Sequence, residues 1–144
     1  MTRPLVVSSL VVGAFTAGLA AGRPTPAPTR AADAPRVYEL RTYTSAPGRL
    51  PALERRFREH TMGLFKRHGM TNVGYWTPQD SARAGTTLVY LLAHPSRDGA
   101  RASWAAFNQD PEWQRVRAAS EADGKIVEKV ESVFLTPTDY SPMR

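Results

Sequence analysis

Residues 37–44 read VYELRTYT, and the fold of the whole chain follows from how that octet is taken. It is rich in β-branched and aromatic residues and it alternates, so it reads as a strand. Alternation puts Val37, Glu39, Arg41 and Tyr43 on one face and Tyr38, Leu40 and Thr42 on the other. Pro47-Gly48 makes a turn. Leu50, Leu53, Phe57, Thr61, Leu64 and His68 then recur at helical spacing, with Glu54/Arg58 and Arg55/Glu59 as i,i+4 pairs on the wet side. Pro51 suits the first turn of that helix, and His68 followed by Gly69 suits its end.

Further on, Met70 to Thr77 reads as a second strand, Pro78 to Gly85 as a polar loop, and Thr86 to His94 as a third strand apolar enough to be central. Ser96 can cap the next helix, which carries Trp104 and Phe107. Asp110-Pro111-Glu112 restarts it: Asp caps, Pro takes the first helical position and Glu meets the positive helix end. Trp113 and Val116 face inward until Gly124, and Lys125 to Leu135 alternates as a fourth strand before a short tail. Trp104, Phe107 and Trp113 read as core aromatics, and Asp110 as a cap. The order βαββαβ predicts an α+β, ferredoxin-like domain: a four-stranded antiparallel sheet with its helices on one face. The other face, expected to include Val37, Tyr75 and Val133, would be bare in a monomer. A second copy packed sheet to sheet would cover it, so a homodimer is expected.

The chain of 144 residues has room for one such domain. Ahead of it, Arg3 supplies positive charge, Leu5 to Ala21 is uncharged and mostly apolar, and small residues follow. That order predicts a signal peptide over residues 1–22 and an exported, periplasmic or secreted protein. The alternative is an uncleaved membrane anchor, which seventeen residues would span only at the short limit of a hydrocarbon core about 30 Å thick. Residues 23–35 hold four prolines and read as an extended linker. The domain is expected over residues 36–143.

Cysteine is absent, which excludes disulfides, thiolate metal sites and a Cys nucleophile. The net charge is +6, nearly all of it arginine, and no cluster of basic and aromatic residues suggests nucleic acid. There is no phosphate-binding Gly loop, no G-x-S-x-G and no H-E-x-x-H, so no cofactor is expected. His60, His68 and His94 have no metal-site spacing, and no metal is expected either.

VYELRTY, the AFNQDPEW stretch and the closing TPTDYSP resemble the NIPSNAP domain over about Arg36 to Pro142. The resemblance implies a dimeric α+β barrel, in which two ferredoxin-like units share one barrel. It supplies no catalytic residues. Barrels of this architecture include cofactor-independent and haem-using monooxygenases, so an enzyme of that type is the alternative to a domain that binds a small molecule or a partner protein. For that alternative the sequence offers Trp76, His60 and Asn72.

In such a barrel the face with Glu39, Arg41 and Tyr43 would line the enclosed space. An Arg and a Glu there must be paired or bound, because unpaired buried charge is costly. They form either a structural ion pair or the polar lining for a small ligand. Tyr75 and Tyr90 are further lining candidates by alternation, and His60 is a candidate ligand or base within one turn of the inward positions.

Overall fold

Strand β1 (Val37–Ser45) lies inside the sheet, with β3 (Thr87–His94) on one side and β4 (Val127–Leu135) on the other; β2 (Thr71–Trp76) pairs beyond β3. All pairings are antiparallel, and Glu39 lies opposite both Leu92 and Phe134. This is a computed structural model, and it describes residues 36–79 and 82–143. The expected signal peptide or anchor and the proline-rich linker lie outside those residues. Among the described residues no helix is long and apolar enough to cross a membrane.

The sheet is α+β and antiparallel as expected, but it is open. β2 and β4 are its two edges and do not meet, which corrects the expectation of a barrel. The physical reason is strand number: about eight strands are needed to enclose even a small filled barrel, and four bend too little to close.

The first helical stretch has three parts. Helix α1 (Leu50–Arg56) runs into a π-turn (Phe57–Thr61) and continues as α2 (Met62–Arg67). The wider π-turn bonds i to i+5 and disturbs the spacing that i,i+4 pairs need. Accordingly, neither Glu54 with Arg58 nor Arg55 with Glu59 forms an ion pair among the described residues. Gly69, at φ +77°, takes the left-handed position that ends α2.

Helix α3 (Arg97–Gln109) is capped by Ser96, whose hydroxyl accepts from the Gly99 N–H at 2.9 Å. Helix α4 (Pro111–Ser120) starts at Asp110, whose Oδ1 accepts from the Glu112 N–H at 2.7 Å. Asp110 does more than cap. Its other oxygen meets His68 Nε2 at 2.6 Å and Arg67 Nη2 at 3.1 Å, so it ties the end of α2 to the start of α4. The hydrogen bond from His68, those from Arg67 and the backbone outweigh burial and hold the Asp110 carboxyl at about 2.

The core lies between sheet and helices. Leu53, Phe57, Leu64, Phe65, Tyr90, Leu92 and Ile126 form it, with Tyr43 and Tyr75 packed against it. Tyr75 therefore faces the helices, not the bare side, and by alternation so does Val37 opposite the buried His94. The open face carries Tyr38, Leu40, Leu91 and Ala93 in a smaller cluster, with Val133 (55 % exposed) and Leu135 beside it. The tail shares a cleft there: Thr136, Pro137 and Met143 line it with Tyr38 and Leu91. Trp76, 54 % exposed, lays its indole over Gly74, so that a Cβ at residue 74 would meet the ring at 2.5 Å.

Candidate functional site

Glu39 is 1 % exposed, and four donors from four elements meet its carboxylate. Oε1 accepts from Arg41 Nη1 at 2.6 Å and from Ser132 Oγ on β4 at 2.7 Å. Oε2 accepts from Trp104 Nε1 on α3 at 2.7 Å and from His94 Nε2 on β3 at 3.0 Å. Burial alone would push this carboxyl up. Hydrogen bonds from His94, Ser132, Trp104 and Arg41 together outweigh it and bring the pKa down to about 2. The group is charged at any ordinary pH, so it is an acceptor only and is poorly suited to moving protons.

Arg41 is shared between this carboxylate, the Tyr43 hydroxyl, which accepts from Nη2 at 3.4 Å, and open space. One nitrogen serves Glu39, while the guanidinium carbon sits 4.1 Å from the centre of the Trp104 ring and 5.6 Å from that of Tyr43. Burial opposes its charge, but Tyr90, Tyr43 and Glu39 favour it more, and it is held charged more firmly than a free arginine. Its Nε has no partner among the described residues.

Beside Arg41 a cavity of about 360 Å³ opens between the sheet and helices α3 and α4. Trp104, Phe107 and Trp113 give it aromatic walls, and a second arginine, Arg56, reaches it from α1. Arg56 is buried; its Nη1 donates to Ser120 Oγ and Glu121 Oε1, both at 3.1 Å, and its guanidinium carbon lies 5.4 Å from the Trp113 ring centre. Arg56 Nε also has no partner among the described residues. Arg117 and Glu128 stand in the lining as further charges.

The expected site residues divide. Arg41 and Tyr43 line the cavity, and Glu39 backs it. They face the protein's own helices, not a space shared by two barrel halves. Tyr90 and Tyr75 are core residues: their rings stack at 5.4 Å and 18°, and both pack on Phe57. Burial raises both phenols well above the usual range, so neither ionises. His60 is exposed on the π-turn and lines a different groove. Trp76, His60 and Asn72 do not converge: Asn72 is bonded to the Met62 carbonyl and to Tyr75, and Trp76 lies on the outer face. Among the described residues no three His, Asp or Glu side chains gather to hold a metal ion.

Four contributors were not expected as site residues: Arg56, and the Glu39 donors His94, Trp104 and Ser132. Arg56 interrupts the apolar stripe, three residues after Leu53 and next to Phe57, and that misplacement was its signal. Ser132 carried none.

The match to known proteins coincides with this domain. The NIPSNAP family profile covers residues 38–142, from the strand bearing Glu39 to the tail on the open face. The chain belongs to the NIPSNAP family. A NIPSNAP family protein of unknown function from Agrobacterium tumefaciens is similar in structure at 24 % identity, with a TM-score of 0.66, 77 % of this chain and 96 % of that one being covered. An uncharacterized NIPSNAP domain protein from Burkholderia xenovorans is also 24 % identical, with a TM-score of 0.62 and coverage of 74 % and 98 %. SnoaB, a cofactor-independent oxygenase from Streptomyces nogalater, is 16 % identical, with a TM-score of 0.51 and coverage of 76 % and 99 %. At these identities the likeness shows the fold alone. No curated protein matches the sequence.

Proposed function

We propose that this NIPSNAP domain binds a small organic anion, a carboxylate on a flat apolar body, in the cavity between the sheet and helices α3 and α4. The observation that carries the reading is Arg41: it is charged, stacked on Trp104, and only partly used by Glu39, at the wall of an aromatic-lined space. Arginine holds carboxylates by two parallel bonds, and flat rings bind well against aromatic walls. Arg56 adds a second positive group to the same space. The alternative of oxygen chemistry leans on likeness to oxygenases 16–18 % identical, and no residue set in this chain adds to it.

Arg41→Met separates this reading from a purely structural ion pair. Glu39 keeps three donors without Arg41, so the variant should fold and lose only modest stability. Benzoate-class acids should quench the Trp104 and Trp113 fluorescence of the wild type saturably. In the variant they should bind at least about tenfold more weakly, as loss of one charge-assisted hydrogen bond of about 1.5–3 kcal/mol requires. A broad acid panel that leaves the wild-type fluorescence and melting temperature untouched would defeat the reading.

Self-association through the open sheet face belongs to the same proposal. Trp76, Val133 and Leu135 stand exposed there, and apolar surface of this kind favours a partner. Light scattering at micromolar concentration should give twice the chain mass, with Val133→Lys shifting it toward one. A stable single-chain mass for the wild type would remove the dimer.

A further inference from the structure

On the far side of α4 from the cavity lies a groove of about 320 Å³, between the α1/π-turn stretch and α4. Its charge is lopsided. Arg55, Arg56, Arg115 and His60 line it, and Glu59 is the one acid in the lining. Arg56 is committed to Glu121, and Glu59 stands 3.9 Å from His60. Arg55 and Arg115 have no ion-pair partner among the described residues, although Arg55 is near enough to Asp123 to help hold that carboxyl down. The π-turn explains why Arg55 is unspent: in a regular helix it would meet Glu59 four residues on. The floor is small and apolar, made by Ala52, Val116 and Ala119.

We propose that this groove binds a doubly charged oxyanion, the phosphate group of a small soluble monoester. Two guanidiniums without an ion-pair partner among the described residues, one from each wall of the groove, suit a dianion better than a carboxylate, because three equivalent oxygens can be shared between both forks. The buried Arg56 guanidinium also lines the groove, with Glu121 offsetting its charge. The apolar floor accommodates a short organic group but no long chain. The groove and the cavity at Arg41 share the buried Arg56, so the test varies Arg55 and Arg115, which line the groove and not the cavity.

The test uses the full chain and follows the His60 imidazole by NMR, with Trp fluorescence as a monitor of the other cavity. Inorganic phosphate should move the His60 ring signals saturably, and sodium chloride at equal ionic strength should not. Phenyl phosphate should bind more tightly than inorganic phosphate. Arg115→Gln and Arg55→Gln, both at exposed positions, should each weaken binding at least fivefold while benzoate quenching stays unchanged. Equal shifts with chloride, or full binding in both variants, would overturn the proposal. So would Arg115-dependent co-sedimentation with phosphatidylglycerol vesicles in the absence of any effect of soluble phosphate, since the partner would then be a lipid surface.

Discussion

Glu39→Ala is expected to destabilise the domain by about 3–5 kcal/mol, the cost of removing one member of a buried charge cluster. The carboxylate is the common acceptor for Arg41, Ser132, Trp104 and His94, and its loss leaves four donors facing one another. Three of them come from elsewhere in the chain and lie on β3, α3 and β4, so the damage reaches every layer. Urea denaturation at neutral pH would measure it. A loss below 1 kcal/mol would mean that water fills the space and that the cluster matters little. Adding Arg41→Met should recover part of the loss, because it removes the charge left behind. The same cluster sets an acid limit. Glu39 is held at about 2 in the folded protein against an ordinary 4.5, so its contribution is complete above about pH 4.5 and falls away as pH drops toward 2. That contribution is on the order of 3 kcal/mol for a group this buried. Glu39→Gln should therefore flatten the acid limb of the stability profile.

Phe65→Ala should be as severe, about 3–5 kcal/mol, and for a different reason. Phe65 is fully buried and its ring meets those of Phe57, Tyr90, Trp104 and Phe107 at 5.0–6.0 Å. It is the point where α2, α3 and the sheet touch through one side chain. Truncation leaves a hole bounded by rigid rings, which cannot collapse as aliphatic neighbours might. Phe65→Leu should cost clearly less, since it fills most of the space. Guanidinium melts giving equal losses for the two variants would show that ring contacts, not volume, hold this layer.

Much of this architecture could be read from residues 36–143. Strict alternation in VYELRTYT correctly grouped Glu39, Arg41 and Tyr43, and Asp110-Pro111-Glu112 marked where α3 yields to α4. Alternation says which side chains share a face but not which face the helices cover, and so Tyr75 and Val37, expected on the bare side, lie on the helix side instead. Three of the four donors to Glu39, all but Arg41, could not be found either. They lie 55, 65 and 93 residues away, and local pattern has no information at that range. The π-turn left no mark in the apolar spacing, because Phe57 and Thr61 stay buried on both sides of it. It showed only in the charges, through the i,i+4 pairs that did not form.

The strand order has a consequence for how the chain is made. Of the described strands, β1 leaves the ribosome first and ends up flanked on both edges, by β3 and by β4. Until residues near 132 and 134 arrive, Glu39 lacks a donor and β1 keeps a row of open amides and carbonyls. Closing loops of this span is slow, because chain entropy is lost before the distant contacts repay it. The nascent domain therefore stays uncommitted through most of its synthesis, and completes its sheet only when the final strand zips onto the edge of the first.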